Sequence, residues 1–377
     1  MPEHILPGAT IGVLGGGQLG RMLCDAARRM GYRVVIFDAD EHSPAGAIAD
    51  EHICAGWEDI PALDRLAETC DVITTEFENI PAETVTYLAS RCRVAPDASA
   101  LEIAQHRARE KSFARNAGLQ PAEFVHLNYG VELAAAAEQI GFPAILKSAT
   151  LGYDGKGQSV VHSMQELETA FAQIGDVECV LEQLVDIQAE ISVIVARNAS
   201  GETACFPPAE NVHVNGILHT STVPAALPEH LIERAQQQAT SLALALDYIG
   251  VLAVEFFIDS DGELLFNEMA PRTHNSGHYT QDACLTSQFE QQVRMICGLT
   301  PGDTRLLTPV VMVNLLGDLW HPDWSVVMQR DAVKLHLYGK SEARRGRKMG
   351  HFNVLASSRE EAAKIGEAVF AALSAQD

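Results

Sequence analysis

Two glutamates, Glu255 and Glu268, offer the most specific chemistry in the chain. Val251–Ile258, the turn Asp259-Ser260-Asp261-Gly262 and Glu263–Glu268 read as a β-hairpin turning at Asp261-Gly262. If Ile258 faces Glu263, the two glutamates are diagonal cross-strand neighbours on a face that also carries Ala253 and Phe257. Left bare they would repel each other. A hard divalent cation such as Mg2+, which takes one or two carboxylates plus nucleotide phosphate oxygens, removes that repulsion. Asn267 offers a further oxygen. The plainer alternative is a solvated acidic face. Directly downstream, Met269–His278 holds Arg272, His274, Asn275, Ser276 and His278, with Arg272 suited to clamping a carboxylate- or phosphate-like anion.

Lys147 ends the apolar run Ala144-Ile145-Leu146 and leads into Gly152-Tyr153-Asp154-Gly155-Lys156-Gly157-Gln158. A strand-end lysine can place one positive charge on a phosphate, and a glycine-rich loop can close over the rest with backbone N–H groups. The alternative is a flexible hairpin with an exposed lysine. Because two strands flank the loop and no helix follows, it is not a P-loop. Glu182-Gln183-Leu184-Val185 ends another strand, and Glu190 follows within reach of ribose hydroxyls. Near the start, Gly15–Gly20 satisfies the dinucleotide-binding pattern, with Asp38 and Asp40 at the spacing of a ribose-binding acid. Taken alone this loop says NAD. The same glycines equally suit another phosphorylated ligand, or a tight strand–helix turn with no ligand at all.

The elements that must hold these groups change character along the chain. Thr10–Leu14, Arg33–Phe37 and Asp71–Thr75 read as strands, with helices at Gln18–Met30 and Ala62–Glu68, which predicts parallel βαβ units. Ala98–Gly118 reads as helical, and a domain boundary is placed inside it. The middle part predicts strands at Ala144–Ser148, Ser159–Val161, Val180–Leu184, Glu190–Ala196, Val251–Ile258 and Glu263–Asn267. Its helices fit Val131–Ile140, Met164–Phe171 and Glu229–Leu246. Short Gly and Asn-Gly turns there favour antiparallel pairing, hence α+β. Strands at Val310–Leu316, Lys334–Tyr338 and Gly350–Leu355 and a helix at Arg359–Leu373 complete the chain. The expected division is 1–110 (parallel α/β), 111–298 (two lobes) and 299–377 (small, β-rich).

The chain has 377 residues and a formal charge of −23, which disfavours nucleic acid and anionic membranes as partners. The segment from Arg330 to Lys348 is nevertheless basic, with Lys340, Arg347 and Lys348 among its cations. No apolar run approaches the roughly 18–20 residues that span a bilayer, and Met1-Pro2-Glu3-His4 does not begin a secretory signal. Eight scattered cysteines without a C-x-x-C pair predict free thiols in a reducing, cytoplasmic setting.

Six segments together resemble a known family: Gly15–Met22, Thr75–Ile80, Gly152–Gln158, Pro208–His213, Asn267–His278 and Gly346–Asn353. In this order, spanning nearly the whole chain, they look like the N5-carboxyaminoimidazole ribonucleotide synthetase family of the ATP-grasp superfamily. The resemblance implies an ATP-grasp fold with a Rossmann-like pre-ATP-grasp domain and a C-terminal domain closing the site. It implies that ATP is held by Arg107, Lys147, Gly152, Tyr153, Asp154, Gly155, Lys156, Gly157 and Gln158, and by Glu182, Gln183, Leu184, Val185, Glu190, His213, Asn267 and Glu268. It implies Mg2+, or Mn2+ in its place, on Glu255 and Glu268. Tyr153, Asp154, Arg272, His274 and Lys348 would serve catalysis. Glu76 or Glu78, Asn275 and Ser276 would surround bicarbonate and aminoimidazole ribonucleotide, with Lys340, Arg347 and Lys348 at its phosphate. The family pattern has a glycine where Leu151 stands. The implied activity is carboxylation of the ribonucleotide amine in purine synthesis by a homodimer, with a separate mutase as a possible functional partner. The rivals are another ATP-grasp ligase such as formate-dependent glycinamide ribonucleotide transformylase, an NAD-dependent oxidoreductase, and a non-catalytic ATP-binding module.

Overall fold

The computed structural model describes residues 4–128, 133–150, 157–175, 177–320 and 324–375. Among them lie three sheets. The first is parallel and holds β1 (Thr10–Leu14), β2 (Arg33–Phe37), β3 (Glu51–Ile53) and β4 (Val72–Thr75) in the order β3-β2-β1-β4. Its central strand TIGVL is buried from Ile11 onward, as expected for a parallel strand covered on both faces. Helix Gln18–Arg29 buries Leu19, Leu23 and Ala27, one turn apart. That stripe shares a core with Phe289, Val293 and Ile296 of helix Gln288–Ile296, so the first domain is welded to the second through apolar packing.

The second sheet is antiparallel: β5 (Phe124–Leu127), β6 (Ala144–Ser148), β7 (Gln158–Val161) and β8 (Cys179–Gln183), in the order β5-β8-β6-β7. The third sheet collects β9 (Ile187–Arg197), β10 (Thr203–Cys205), β11 (Ala209–Val214), β12 (Ile217–Val223), β13 (Gly250–Asp259) and β14 (Leu264–Ala270). It continues without interruption into β15 (Val310–Leu316), β16 (Val333–Leu337) and β17 (Lys348–Leu355), because β12 pairs β15 from Thr220–Val313 to Val223–Val310. The C-terminal strands therefore extend the central sheet and do not form a sheet of their own. Among the described residues no helix is long and apolar enough to cross a membrane.

Three local expectations need correction. The helical stretch from Ala98 is two helices, Ala98–Ala104 and Arg107–Asn116. His106 interrupts it with extended backbone, and its ring accepts the Arg109 N–H as an N-cap. The hairpin register is also shifted by one: Ile258 faces Leu264, and Asp259 N–H bonds Glu263 O across a three-residue loop with Gly262 at φ +80°. A bulge at Asn267 then advances β14 by one residue, so Glu255 and Glu268 are direct partners. Third, the NAD reading of Gly15–Gly20 fails because protein carboxylates already occupy its amides. Gly17 and Gly20 N–H donate to Glu76 at 2.8 and 3.0 Å, and Gly16 N–H donates to Asp38 at 2.6 Å. A Cβ on Gly17 would lie 2.7 Å from Glu76 Oε1, so glycine there serves the approach of a side chain.

Candidate functional site

The functional residues line three adjoining cavities. The first, about 300 Å³, lies between the second and third sheets. Its polar lining includes Arg107, Lys147, Gln158, Glu190 and His213, and the strand end Glu182-Gln183-Leu184-Val185. Ile145, Ile187, Leu218, Phe257 and Phe266 give it apolar walls, which suit a flat base. The second, about 160 Å³, is bounded by Glu78, Arg107, Glu110, Glu255, Glu268 and Arg272. The third, about 550 Å³, is framed by Gly16 and Gly17, Glu76 and Glu78, Arg272, Asn275, and the cations Lys340 and Arg347. His274 and Lys348 line all three. A nucleotide's base, its phosphates and a second anionic substrate could thus meet around two shared side chains.

Family models match along the chain: a ribonucleotide synthetase preATP-grasp domain over 8–105, an ATP-grasp domain over 112–289, and a phosphoribosylaminoimidazole carboxylase C-terminal domain over 310–365. The N5-carboxyaminoimidazole ribonucleotide synthase of Brucella melitensis is 48% identical over 92% of this chain and 96% of its own length. That of Bacillus subtilis is 44% identical over 95% and 94%. The chain belongs to the N5-carboxyaminoimidazole ribonucleotide synthetase family. A solved ADP complex of one such synthetase superposes with a TM-score of 0.93 at 45% identity, covering 98% of both chains. An Aspergillus clavatus synthase solved with ADP and 5-aminoimidazole ribonucleotide gives 0.88 at 32% identity, covering 97% of this chain and 98% of that one.

Within this synthetase fold, Lys147 on β6 faces Val180 of β8, so Glu182 lies two residues along on the same face. The two are joined at 2.8 Å, and Lys111 lies 3.4 Å from the same carboxylate. Burial would raise Glu182, but both lysines overcome it and hold the carboxyl below its usual value. Burial lowers Lys147 against the attraction of Glu182. Glu182 Oε1 has no partner. Burial would lower the His213 imidazole, but the hydrogen bond and charge of Glu190, 2.8 Å from Nδ1, together outweigh it and raise it. Arg107 reaches Glu268 at 3.3 Å.

Glu255 is pushed up to about 8, first by burial and then by the charge of Glu268. Two opposed carboxylates with Asn267 beside them form a hard-oxygen donor set whose repulsion a divalent cation would relieve, so the residues fit Mg2+. Burial alone would raise Glu78, yet the Arg272 guanidinium bonded to it keeps it below the usual carboxylate range.

His274 is oriented by a one-way chain of donors. The Asn211 side-chain amide Nδ2 donates to Ser192, Ser192 O–H to Ser276, and Ser276 stands 2.9 Å from His274 Nδ1 with its own hydroxyl proton left to give. Nδ1 is therefore the acceptor, and the ring proton sits on Nε2, which lies 3.4 Å from Glu255. Burial, then Arg272 and Lys348, holds this imidazole well below its ordinary value, hence neutral. Ser276 is fully buried and lines none of the three cavities, so it acts through His274. Asn275 lines two of them while its amide exchanges hydrogen bonds with Asn314.

Gly152, Tyr153, Asp154, Gly155 and Lys156, with Leu151, lie outside the described residues. Gly157 accepts the Ser148 N–H and leads into β7. Sequence reasoning missed Lys111 and Glu110. Lys111 is one helical turn beyond Arg107, a signal that was available. Glu110 accepts Met269 N–H at 2.6 Å and is pushed up to about 8, mostly by burial.

Proposed function

We propose that this chain carboxylates 5-aminoimidazole ribonucleotide to N5-carboxyaminoimidazole ribonucleotide with ATP and bicarbonate, as an ATP-grasp ligase of purine biosynthesis. The carrying observation is that the nucleotide cavity and the basic third cavity meet at His274 and Lys348, in a chain of this family. The base lies against the apolar walls by the Glu182–Val185 strand end, and Glu190 accepts the ribose hydroxyls. Lys147 and Arg107 neutralise phosphate oxygens. Mg2+ on Glu255 and Glu268, with Mn2+ able to replace it, offsets phosphate charge when bound.

Bicarbonate oxygen attacks the γ-phosphate and releases ADP, giving carboxyphosphate. The ribonucleotide amine then attacks its carboxyl carbon, directly or after release of CO2 in the site, and phosphate leaves. Arg272, fixed by Glu78, holds the anion. With its proton on Nε2, His274 donates to an anionic oxygen and is not the base for the amine. Glu78, held low by Arg272, is a weaker base than the departing phosphate dianion. Lys340, Arg347 and Lys348 hold the ribonucleotide phosphate. Tyr153 and Asp154 shield the intermediate from water.

The division at 110 and 298, a cytoplasmic location, a homodimer and functional pairing with a mutase belong to the same proposal. The test is phosphate release from ATP with each co-substrate omitted in turn. Turnover that depends on both bicarbonate and aminoimidazole ribonucleotide supports it. Turnover with formate and glycinamide ribonucleotide instead, or ATP binding with no turnover, overturns it.

A further inference from the structure

Outside the three cavities, two histidines converge on one carboxylate oxygen. His126 on β5 faces Val180 on β8, so Glu178, two residues before Val180, lies diagonally on the same face of the sheet. His126 Nε2 is 3.3 Å from Glu178 Oε2. From the other side His106, the cap of helix Arg107–Asn116, brings its Nε2 to 2.8 Å from the same oxygen. The imidazoles meet edge to face with centroids 5.3 Å apart, and the three ligand atoms all lie within 4.8 Å of one another. The His126 and Glu178 side chains keep 33% and 39% of their exposure, so an ion and a water can reach them.

We propose that His106, His126 and Glu178 form a second cation site, for a borderline transition metal of the Zn2+ class, separate from the Glu255–Glu268 pair. The donor chemistry sets the class. Two imidazole nitrogens and one carboxylate suit Zn2+ and its neighbours, whereas Mg2+ takes oxygen ligands. Three protein ligands leave the fourth position to water. The contacts are slightly closer or wider than a common ion requires, and closing on one needs only small side-chain movements. Coordination through His106 Nε2 moves that ring's proton to Nδ1 and gives up the Arg109 N–H bond, which at 3.4 Å is already long.

The site has a mechanical setting. Glu178 O accepts Ala149 N–H, and Ala149 O accepts Arg107 N–H, both at 2.8 Å. An ion here would tie the start of the helix carrying Arg107 to the sheet carrying Lys147.

The experiment uses the full chain without a histidine tag, with Mg2+ in saturating excess to occupy the oxygen site. Co2+ is the spectroscopic probe and Zn2+ the competitor. The expected result is one Co2+ per chain with visible ligand-field absorption, displaced by Zn2+. Binding should weaken at least about tenfold in both His126→Ala and Glu178→Gln. Neither residue lines the three cavities, so Mg2+-dependent turnover of each variant without Zn2+ should match the parent and show that it is folded. Co2+ or Zn2+ affinity equal in parent and variants, or no binding beyond what Mg2+ displaces, overturns the proposal.

Discussion

Lys340 ties the third cavity to pH in a way that can be worked through. Its ammonium donates to Lys348 O at 2.7 Å and lies 5.7 Å from the Tyr338 ring, beside Arg347. Burial, then the charge of Arg347, pushes it down from 10.5 to about 8. The sign follows: the ammonium is present below 8 and lost above it. At pH 7 about nine-tenths of free enzyme carries the charge, and at pH 9 about one-tenth. The ribonucleotide phosphate, with a second pKa near 6, is dianionic throughout. If that phosphate needs the ammonium, KM for aminoimidazole ribonucleotide should rise about tenfold from pH 7 to pH 9, with kcat little changed by this group. Lys340→Gln removes a charge-assisted bond of about 1.5–3 kcal/mol, which raises KM at pH 7 by roughly 10–150-fold. It should also abolish the extra rise toward pH 9. Initial rates across this range, for parent and variant, provide the check. A variant with parental KM at pH 7, or one that keeps the parental pH slope, would refute the reasoning.

Other outcomes follow from the same geometry. Glu268→Gln should lower kcat by about 10²-fold or more and raise the Mg2+ needed for half-maximal rate; a parental Mg2+ titration of turnover argues against the metal assignment. Ser276→Ala deprives His274 Nδ1 of its hydroxyl donor and leaves the Ser192 hydroxyl proton without its acceptor in a buried position. It should destabilise the fold by about 1–3 kcal/mol in denaturant melts and lower kcat more than it raises KM. Gly17→Ala presses a methyl into Glu76 and should cost about 1–3 kcal/mol, read as a lowered Tm; an unchanged melt would mean that the loop yields freely.

Strands bounded by clear turn residues were legible: β1, β2, β6 and β15 occupy the spans their apolar runs suggest. The Glu255–Glu268 pairing was legible as an association but not in its register, because a bulge leaves no fixed mark in sequence. β11 and β12 were passed over although Asn215-Gly216, both at positive φ, joins them in a tight turn; their alternating polar faces hide an apolar signal. The glycine loop misled for a physical reason. Close approach to a backbone is the same requirement whether the visitor is a phosphate or the side chain of Glu76, and the partner lies 59 residues away. Arg272, His274 and Lys348 could be picked out one by one, but their meeting depends on which strands the long sheet places side by side.

The uninterrupted third sheet also governs how the chain can be divided. A chain cut after residue 298 would lose β15, and the backbone groups of Thr220–Val223 that pair with it would be left as an open strand edge. Exposed edges recruit other strands, so such a fragment should self-associate and not survive as a compact two-lobed unit. The chain matches three family models, yet one sheet runs from β9 to β17, so these strands should melt together, and the segment bearing the basic residues at the start of β17 cannot be removed without opening that sheet.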